Sequence, residues 1–494
     1  MASSWVISFL LRFPHYQHSF TFVDESLWAV TSQVLASGGR LYQDVWCNNQ
    51  PAFPIFLALV FHGLGVHHWV VHIASLFLIF LTSTLLYWLG SAHFSPRIGG
   101  LAAVIFAVAS ATYYAPRIIG LASEQLMIVF STAAMCCFLA GVKRSWSLGL
   151  FAAGFFAGLA FLTKPFAFTE IGLYAFVLIF FSASAIASRL KHTLILGLGY
   201  GAALLLLLVY LWGNDTFDLW KTMTLGFSFH YVGQVSLSDF SGKLAHVPFS
   251  FGLIYAWLWT LIALGIAKNP KGPSFRAIHF WLLAAFLGVA FGRRFYANYY
   301  IQMLPAMSIV GATGFAHLLD NVRRYRARVY LAGFALLLPF VFFHTRTMAH
   351  WYFLFNQEAH EKVQVWRMCT EERKLDRLAA HVIALSKPSD PIFVWGARPE
   401  LYFLTRRPLA TKYFVYDINS EIPEAASTRL DALEALERRK PPLIVDTGAA
   451  FAMETLPRWR EFLSRYYVLD SRIGDVRFYR LARGNGTLSL GQAP

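Results

Sequence analysis

Charged side chains are scarce in this sequence. Asp, Glu, Lys and Arg make up only 14% of its 494 residues, whereas hydrophobic residues make up 57%. A soluble globular protein has about 25% charged residues, so most of this chain is expected to contact lipid instead of water. At roughly 20 residues per span, the chain has room for about a dozen transmembrane helices and a soluble domain.

Cysteine and several catalytic signatures are also rare or missing. Four cysteines are too few for a disulfide framework. Cys136 and Cys137 lie within an apolar run, where they are expected to be part of a helix core. The sequence has no glycine-rich nucleotide-binding loop and no HExxH or CxxC metal-binding spacing. These absences argue against the nucleotide-dependent and zinc-dependent enzyme classes that use those motifs.

Acidic residues are nearly absent from the first part of the chain. Residues 1–345 contain nine of the 27: Asp24, Glu25, Asp44, Glu124, Glu170, Asp215, Asp218, Asp239 and Asp320. The net charge of +15 could suggest a nucleic-acid partner. The basic residues, however, cluster in short gaps between apolar runs, which is typical of cytoplasmic loops in membrane proteins.

The positions of the basic residues predict the membrane topology. Apolar runs occur at about 69–89, 98–115, 124–142, 147–162, 166–184, 193–212, 248–267, 278–292, 299–319 and 329–344. The basic clusters all lie on the cytoplasmic side of the membrane only if residues 51–66 do not cross it. We therefore predict an interfacial or re-entrant helix at 51–66. Residues 3–11 form either a short tilted span or the remnant of a clipped one. We therefore predict about eleven spans, with the N-terminus inside and the C-terminus outside. Eight of the nine acids then lie in outer loops or at outer helix ends, which indicates an outward-facing polar site.

The C-terminal third has a different character. Residues 392–395 and 443–446 are expected to form buried strands, and 430–439 an amphipathic helix. Residues 466–469 and 476–481 are expected to form a closing strand pair around Gly474. The prediction is a mainly α polytopic membrane domain over 1–349, including the first outer loop at 13–50, followed by a soluble extracytoplasmic α/β domain over 350–494.

The first outer loop contains three acids. Asp24 and Glu25 begin a helical pattern closed by Gly38 and Gly39. Carboxylates there could act as a general base or bind a metal, and they could equally cap the helix. Asp44 stands in a turn with Tyr42, where it either contributes to the site or simply holds the turn.

Two charged residues stand at predicted outer ends of spans. Glu124 opens a span, and an ionisable group at membrane depth is a functional hypothesis by default. The alternative is a carboxylate that caps the helix dipole. Lys164 precedes Pro165, where it could bind a phosphate or form an ion pair with Glu170.

A late motif combines arginines and aromatic residues. Arg293 and Arg294 face outward against the positive-inside trend, and Asn298 and Tyr299 follow them. Adjacent arginines suit a phosphate or diphosphate, and tyrosines also act as interfacial anchors. In the outer loop 213–247, the pair His230-Tyr231 and Asp239 are weaker candidates for substrate or metal contacts.

The order of these motifs resembles a known family. The outer loop has Asp24-Glu25, a helix, Gly38-Gly39 and Leu41-Tyr42-Gln43-Asp44, and it ends at Pro51. Later motifs are Glu124 at a helix start, Thr163-Lys164-Pro165, residues 294–305 (RFYANYYIQMLP), and residues 390–396 (DPIFVWG) followed by 399–402 (PELY). This order resembles the polyprenyl-phosphate-dependent glycosyltransferases of the GT-C class, near the bacterial relatives of protein O-mannosyltransferases and the lipid A aminoarabinose transferase.

The resemblance implies a function and roles for individual residues. A sugar would move from a polyprenyl-phosphate carrier to a protein, lipid or glycan acceptor outside the cytoplasmic membrane, with no nucleic acid involved. By motif position, Asp24 matches the catalytic acid of the first loop, with Glu25 beside it, and Glu124 matches the second acidic position. Lys164 and Arg294, with Arg293 beside it, match groups that face the carrier phosphate.

The sequence also departs from the family pattern. Asn48-Asn49-Gln50 stands where the family often has Lys or His before the proline, and Asn298-Tyr299 where it commonly has His-Tyr. These changes leave a divalent metal at the site open. A polytopic transporter and a non-catalytic cell-envelope assembly protein are the alternative interpretations.

Overall fold

The computed structural model describes residues 1–13, 16, 19–20, 22–112, 119–182, 184–267, 272–321, 367–414, 424–448 and 453–482. The predicted apolar run 329–344 lies outside these residues. The chain forms two compact units. A helical unit comprises Met1–Gln17, Asn48–Phe56 and Trp69–Glu361, and an α/β unit comprises His18–Cys47, Leu57–His68 and Lys362–Pro494. Residues 18–47, which belong to the predicted first outer loop, thus group with the C-terminal residues.

The helical unit consists of helices that follow the predicted apolar runs. Its helices are α1 (Ala2–Arg12), α4 (His68–His93), α5 (Pro96–Ala109), α6 (Ser123–Arg144), α7 (Ser147–Phe161), α8 (Phe168–Phe181), α9 (Ile186–Gly213), α10 (Phe217–Trp220), α11 (Phe227–Gly233), α12 (Leu237–His246), α13 (Ala256–Ala267), α14 (Pro273–Phe291) and α15 (Leu304–Asn321). Chain order places α2 (Val23–Ala36) and α3 (Ala52–Leu64) between α1 and α4. The helix α2 belongs to the α/β unit, and α3 is divided, with its first residues in the helical unit.

Among the described residues, five helices are long and apolar enough to cross a membrane. A sixth is reached if Leu237–Gly252 and Ala256–Ala267, which meet at 93°, form one broken span. Four further apolar helices are shorter, and one of them is α3 with its 13 residues. The described residues therefore establish a polytopic membrane protein, while the predicted count of about eleven spans is not confirmed.

The termini of α6 show how local sequence defines a membrane helix. Glu124 lies in the first turn, and Lys143 and Arg144 lie in the last turn. Acidic residues at the N-terminus and basic residues at the C-terminus both interact favourably with the helix dipole. The helix stops at Ser145, which has a left-handed conformation (φ 48°) that cannot continue it.

An ion pair joins two helix ends that were predicted to lie on the same side of the membrane. Arg97, at the start of α5, contacts Asp320, at the end of α15, with an N–O distance of 2.7 Å. Both residues were predicted to lie in inner loops, and the contact places their helix ends together. Asp320 is also the one acid among the nine that was assigned to this side.

The α/β unit contains a four-stranded sheet. Its helices are α2, α16 (Arg367–Leu385), α17 (Glu400–Thr405), α18 (Glu424–Arg439) and α19 (Pro457–Tyr466). Its strands are β1 (Ile392–Trp395), β2 (Leu443–Asp446), β3 (Tyr467–Ile473) and β4 (Val476–Leu481), in the order β1-β2-β4-β3. The first two strands are parallel, and the other pairings are antiparallel. All four segments predicted as strands are confirmed.

Residues from the first loop complete the core of this unit. Trp46 packs against the buried cluster that contains Trp395, Trp459 and Tyr467. The Trp46 amide donates to the Lys412 carbonyl at 2.9 Å. Loop and sheet thus share one apolar core.

Glycines allow α7 and α9 to approach closely. A Cβ added at Gly154 would overlap the carbonyl oxygen of Leu196, and one added at Gly199 would overlap that of Phe151. Small residues are the usual means by which membrane helices come into backbone contact.

We predict that Gly199→Val destabilises the helical unit by about 1–3 kcal/mol, because the added methyl groups must displace backbone on α7. Thermal unfolding in detergent measures the effect. Gly197→Val is the matched control, since no atom lies within 4 Å of a Cβ at Gly197 on the same helix. Equal destabilisation by the two substitutions would contradict this packing account.

Candidate active site

A buried carboxylate at the start of α6 is the centre of the candidate site. Glu124 is only 3% exposed, in the first turn of the helix. Its Oε1 lies 3.2 Å from the Lys164 Nζ and accepts a hydrogen bond from the Asn298 Nδ2 at 2.9 Å. Its Oε2 accepts from the Ser123 hydroxyl at 3.3 Å. Both carboxylate oxygens are therefore bonded, as a buried charge requires.

Lys164 reaches Glu124 because the chain breaks after α7. Pro165 disfavours the helical conformation at the preceding residue, and Lys164 is extended (φ −143°, ψ 122°). A short 3₁₀ turn, Pro165–Ala167, then leads into α8. The Lys164 Nζ also lies 5.6 Å from the centroid of the Tyr299 ring, a distance suited to a cation–π contact.

Asn298 and Tyr299 lie on the 3₁₀ helix Ala297–Met303 that precedes α15. Both side chains are buried, and the Tyr299 ring packs against Phe166 with a centroid distance of 5.7 Å. The Oδ1 of Asn298 is buried with no hydrogen-bond partner among the described residues. A buried acceptor without a donor costs free energy, so this atom is available to a ligand hydroxyl or ammonium group.

The alternative pairing of Lys164 with Glu170 is wrong. Glu170 is buried on α8, where it accepts hydrogen bonds from the Ser131 hydroxyl and from the Trp281 indole at 3.3 Å. Its second oxygen has no partner among the described residues. Because Lys164 is extended, its side chain reaches Glu124 on α6. The short separation of Lys164 and Glu170 in the sequence had suggested a different pair.

The two arginines of the late motif contact residues of the segment 213–247. The guanidinium of Arg293 donates to the Val235 carbonyl at 3.3 Å, and that of Arg294 donates to the Gln234 side chain at 2.9 Å. Arg293 and Phe295 both have a positive φ, of 53° and 52°. Left-handed conformations cost roughly 1–3 kcal/mol at non-glycine residues, and such strain concentrates at functional sites.

Of the weaker candidates in this loop, His230 is half-buried and Asp239 is exposed. The imidazole of His230 lies 2.8 Å from the Gln234 amide nitrogen, on the same helical turn. Asp239 accepts from the Ser236 hydroxyl at 2.7 Å at the start of α12. His230 therefore shares Gln234 with Arg294, while the contacts of Asp239 are those of a helix start.

The first-loop candidates lie in the α/β unit. The helix α2 begins at Val23 with Phe22 as its N-cap, so Asp24 and Glu25 stand in the first turn and neither is the capping residue. Glu25 is fully buried, and Asp24 is partly exposed. Their position remains favourable for carboxylates because the N-terminus of a helix is positive.

Tyr42 and Asp44 belong to a tight turn. The Asp44 carboxylate accepts from the Arg40 amide at 2.7 Å, which is the turn-holding role considered for it. Tyr42 is fully buried with φ 71°. A non-glycine residue in this conformation is uncommon, and the surrounding contacts must hold it there.

Two glutamines that contact residues near the candidate motifs were not among the predicted site residues. Gln50 is buried, and its side-chain oxygen accepts from the Trp220 indole at 3.2 Å, while its Nε2 has no partner among the described residues. Gln234 joins Arg294 and His230. The signal available for Gln50 was its position before Pro51, whereas no local pattern identifies Gln234.

The α/β unit also contains a cleft of about 740 Å³ beside α2. Its charged lining residues are Asp44, Asp431, Glu434, Arg406, Arg407, Lys412, Arg438 and Arg439. Burial lowers the pKa of Lys412, and the Asp431 carboxylate opposes this shift. The mixture of signs suits a polar ligand with hydrogen-bonding groups. Within the described residues, no group of three or more His, Cys, Asp or Glu side chains could hold a metal ion.

We predict that Glu124→Gln destabilises the helical unit by about 3 kcal/mol, because it leaves the Lys164 ammonium, whose side chain is only 14% exposed, without its counter-charge. Thermal unfolding of single and double variants measures this, and Glu124→Gln combined with Lys164→Met should recover much of the loss. Asp320→Asn is the matched control, because its ion pair with Arg97 is exposed and such pairs contribute at most about 1 kcal/mol. Additive losses at Glu124 and Lys164 would contradict a coupled pair.

Comparisons with known proteins agree on the architecture. The family model for dolichyl-phosphate-mannose-protein mannosyltransferases matches residues 48–212, a segment that includes Glu124 and Lys164. The crystal structure of ArnT from Cupriavidus metallidurans bound to undecaprenyl phosphate is 16% identical and has a TM-score of 0.64. The match covers 97% of this chain and 96% of that one. No curated protein matches the sequence.

A second structural relative is archaeal. AglB, an oligosaccharyltransferase from Archaeoglobus fulgidus in complex with an inhibitory peptide and a dolichol-phosphate, is 13% identical, with a TM-score of 0.51. The match covers 90% of this chain and 68% of that one. This chain is thus a membrane protein with the GT-C fold that resembles the polyprenyl-phosphate-dependent glycosyltransferases of that class.

Proposed function

We propose that this protein transfers a sugar from a polyprenyl-phosphate carrier to a hydroxyl or amine acceptor at the extracytoplasmic face of the cytoplasmic membrane. The supporting observation is the buried cluster of Glu124, Lys164 and Asn298, which includes two residues of the segment that matches the mannosyltransferase family. The lipid phosphates bound to ArnT and AglB support the class of carrier.

Lys164 is the group best suited to the carrier phosphate. An ammonium has three N–H donors, and Glu124 occupies one direction only. Glu124 holds the ammonium in place, and the remaining donors can bind phosphate oxygens. Arg293 and Arg294 supply further positive charge from the late motif. Cations at this position stabilise the negative charge that develops on the leaving phosphate.

Asp24 is the better candidate for the general base. Glu25 is fully buried, whereas Asp24 is partly exposed in the first turn of α2 and can be reached by an acceptor. General-base catalysis requires the carboxylate to lie within about 3 Å of the acceptor proton donor when substrate is bound. Tyr42, Asp44, His230 and Tyr299 remain candidates for substrate contacts.

The proposed reaction is a direct displacement. The bond between the anomeric carbon and the phosphate oxygen breaks, and its electrons remain on the phosphate. The acceptor oxygen or nitrogen forms the new bond to the anomeric carbon and passes its proton to Asp24. No covalent intermediate with the protein is required.

We predict that Lys164→Gln weakens binding of undecaprenyl phosphate about 10- to 100-fold, the magnitude of one hydrogen bond to a charged group. Native mass spectrometry of the purified protein, titrated with this lipid, measures the affinity. Lys243→Gln is the control, because Lys243 is an exposed cation on α12 outside the cluster. Unchanged affinity in a folded Lys164→Gln variant would refute the assignment of Lys164.

We predict that Asp24→Asn lowers turnover by about 100- to 10,000-fold, the usual contribution of a general base, while binding of the carrier is unchanged. Turnover is followed as release of polyprenyl phosphate from carrier-linked sugars extracted from cells that lack the protein. Retained turnover would remove Asp24 as the base and leave the proposed carrier site intact. Solute flux through proteoliposomes without consumption of donor would instead favour a transporter.

A further inference from the structure

A second cavity lies at the other end of the membrane helices. It has a volume of about 300 Å³ and is formed by the C-terminal ends of α4, α6 and α8 together with the N-terminal end of α14. Its walls are mainly apolar, with Phe138, Val142, Val177, Phe181, Ala277 and Phe280 among the lining residues. The cavity is part of the helical unit alone.

The charged residues of this cavity have one sign. Lys143 and Arg276 line it with His93, and no lining residue is acidic. Neither Lys143 nor Arg276 has a salt bridge to another described residue. The Nδ1 atom of His93 is buried with no hydrogen-bond partner among the described residues. Two available cations and an unsatisfied ring nitrogen therefore surround the polar end of an apolar cavity.

The start of α14 adds to the positive potential. Pro273 and Ser274 line the cavity, and the N-cap residue Gly272 provides no side-chain cap. The first-turn amides of a helix lack partners within the helix and favour anions.

This cavity is separate from the candidate active site. Glu124 is in the first turn of α6, and Lys143 is in its last turn. At a rise of 1.5 Å per residue, the difference of 19 in residue number corresponds to roughly 28 Å along the helix. A ligand in the cavity therefore cannot take part in the chemistry at Glu124 and Lys164.

The two properties together define the ligand. A water-soluble anion would leave the aromatic walls unused, and a neutral lipid would leave Lys143 and Arg276 unpaired. We propose that the cavity binds an anionic phospholipid of the surrounding bilayer, with its phosphate at Lys143 and Arg276 and an acyl chain against Phe138, Phe181 and Phe280. By the topology predicted from the basic residues, this lipid comes from the cytoplasmic leaflet.

The bound lipid would connect four helices and stabilise them. Phe138 of the cavity wall stacks on Tyr174 with a centroid distance of 4.6 Å, and Tyr174 lies one turn from the buried Glu170 on α8. A ligand that binds only the folded state raises its stability in proportion to the logarithm of ligand concentration over Kd. The bound lipid should therefore stabilise the hydrogen bonds that join α6, α8 and α14 through Glu170.

The test uses the full-length protein in nanodiscs of phosphatidylcholine with or without phosphatidylglycerol. Native mass spectrometry of retained lipid and the thermal unfolding temperature are the readouts. The wild type should retain phosphatidylglycerol in preference to phosphatidylcholine and should unfold at a higher temperature with it. Lys143→Gln combined with Arg276→Gln should reduce this preference by roughly 25-fold, at about fivefold per cation.

Two further variants make the test specific. Arg144→Gln removes a neighbouring cation that does not line the cavity, and it should keep the preference. Ala277→Phe fills the cavity and should lower retention of both phospholipids while the protein stays folded. Equal retention of the two lipids by the wild type would overturn the proposal. So would an unchanged preference in the double variant, or inorganic phosphate alone reproducing the stabilisation.

Discussion

The ion pair between Glu124 and Lys164 is the interaction on which the proposed site depends. It connects the start of α6 with the turn between α7 and α8, and Asn298 adds the segment before α15. In a medium of low dielectric constant, an unpaired charge at this depth would cost several kcal/mol. The three segments therefore bring their polar side chains together, and Pro165 provides the break that turns Lys164 towards Glu124. In this arrangement Lys164 keeps N–H donors that a lipid phosphate can accept from. Asn298 keeps a carbonyl acceptor for a sugar hydroxyl.

Charge segregation along the helices links this site with the basic cavity. Glu124 stands at one end of α6 and Lys143 at the other, in agreement with the helix dipole. The acidic end presents a polar site suited to chemistry, and the basic end presents cations suited to lipid phosphates. The scarcity of acids, eight of nine of which are predicted to lie on one side, thus underlies the predicted orientation, the proposed reaction site and the proposed lipid contact. The Arg97–Asp320 pair shows that helix ends assigned to the same side do meet.

Much of the fold was predictable, because apolar length and strand pattern are local properties of the sequence. The apolar run 124–142 forms α6 (Ser123–Arg144), and the predicted strand 443–446 forms β2 with the same bounds.

Irregular backbone was not predictable. The run 248–267 was expected to be continuous, whereas residues Pro248–Gly252 form a π-helix that meets α13 at a sharp bend. The residues of the cluster were easier to predict than their contacts. Glu124, Lys164 and Asn298 were all predicted as site residues, but Glu170 was considered as the partner of Lys164 because it is near in sequence. Tertiary packing, which a single sequence does not display, decided the pairing.

The central claim is that the protein consumes a carrier-linked sugar through a site that requires Lys164. The most direct test compares, by mass spectrometry, the lipids and glycoconjugates of cells that lack the protein with those of cells complemented by wild type or by Lys164→Met. The account predicts that a sugar-loaded polyprenyl phosphate accumulates and a glycoconjugate disappears without the protein, and that only the wild type reverses both changes. Unchanged carrier lipids and glycoconjugates in the cells without the protein, or full reversal by Lys164→Met at equal protein level, would contradict it.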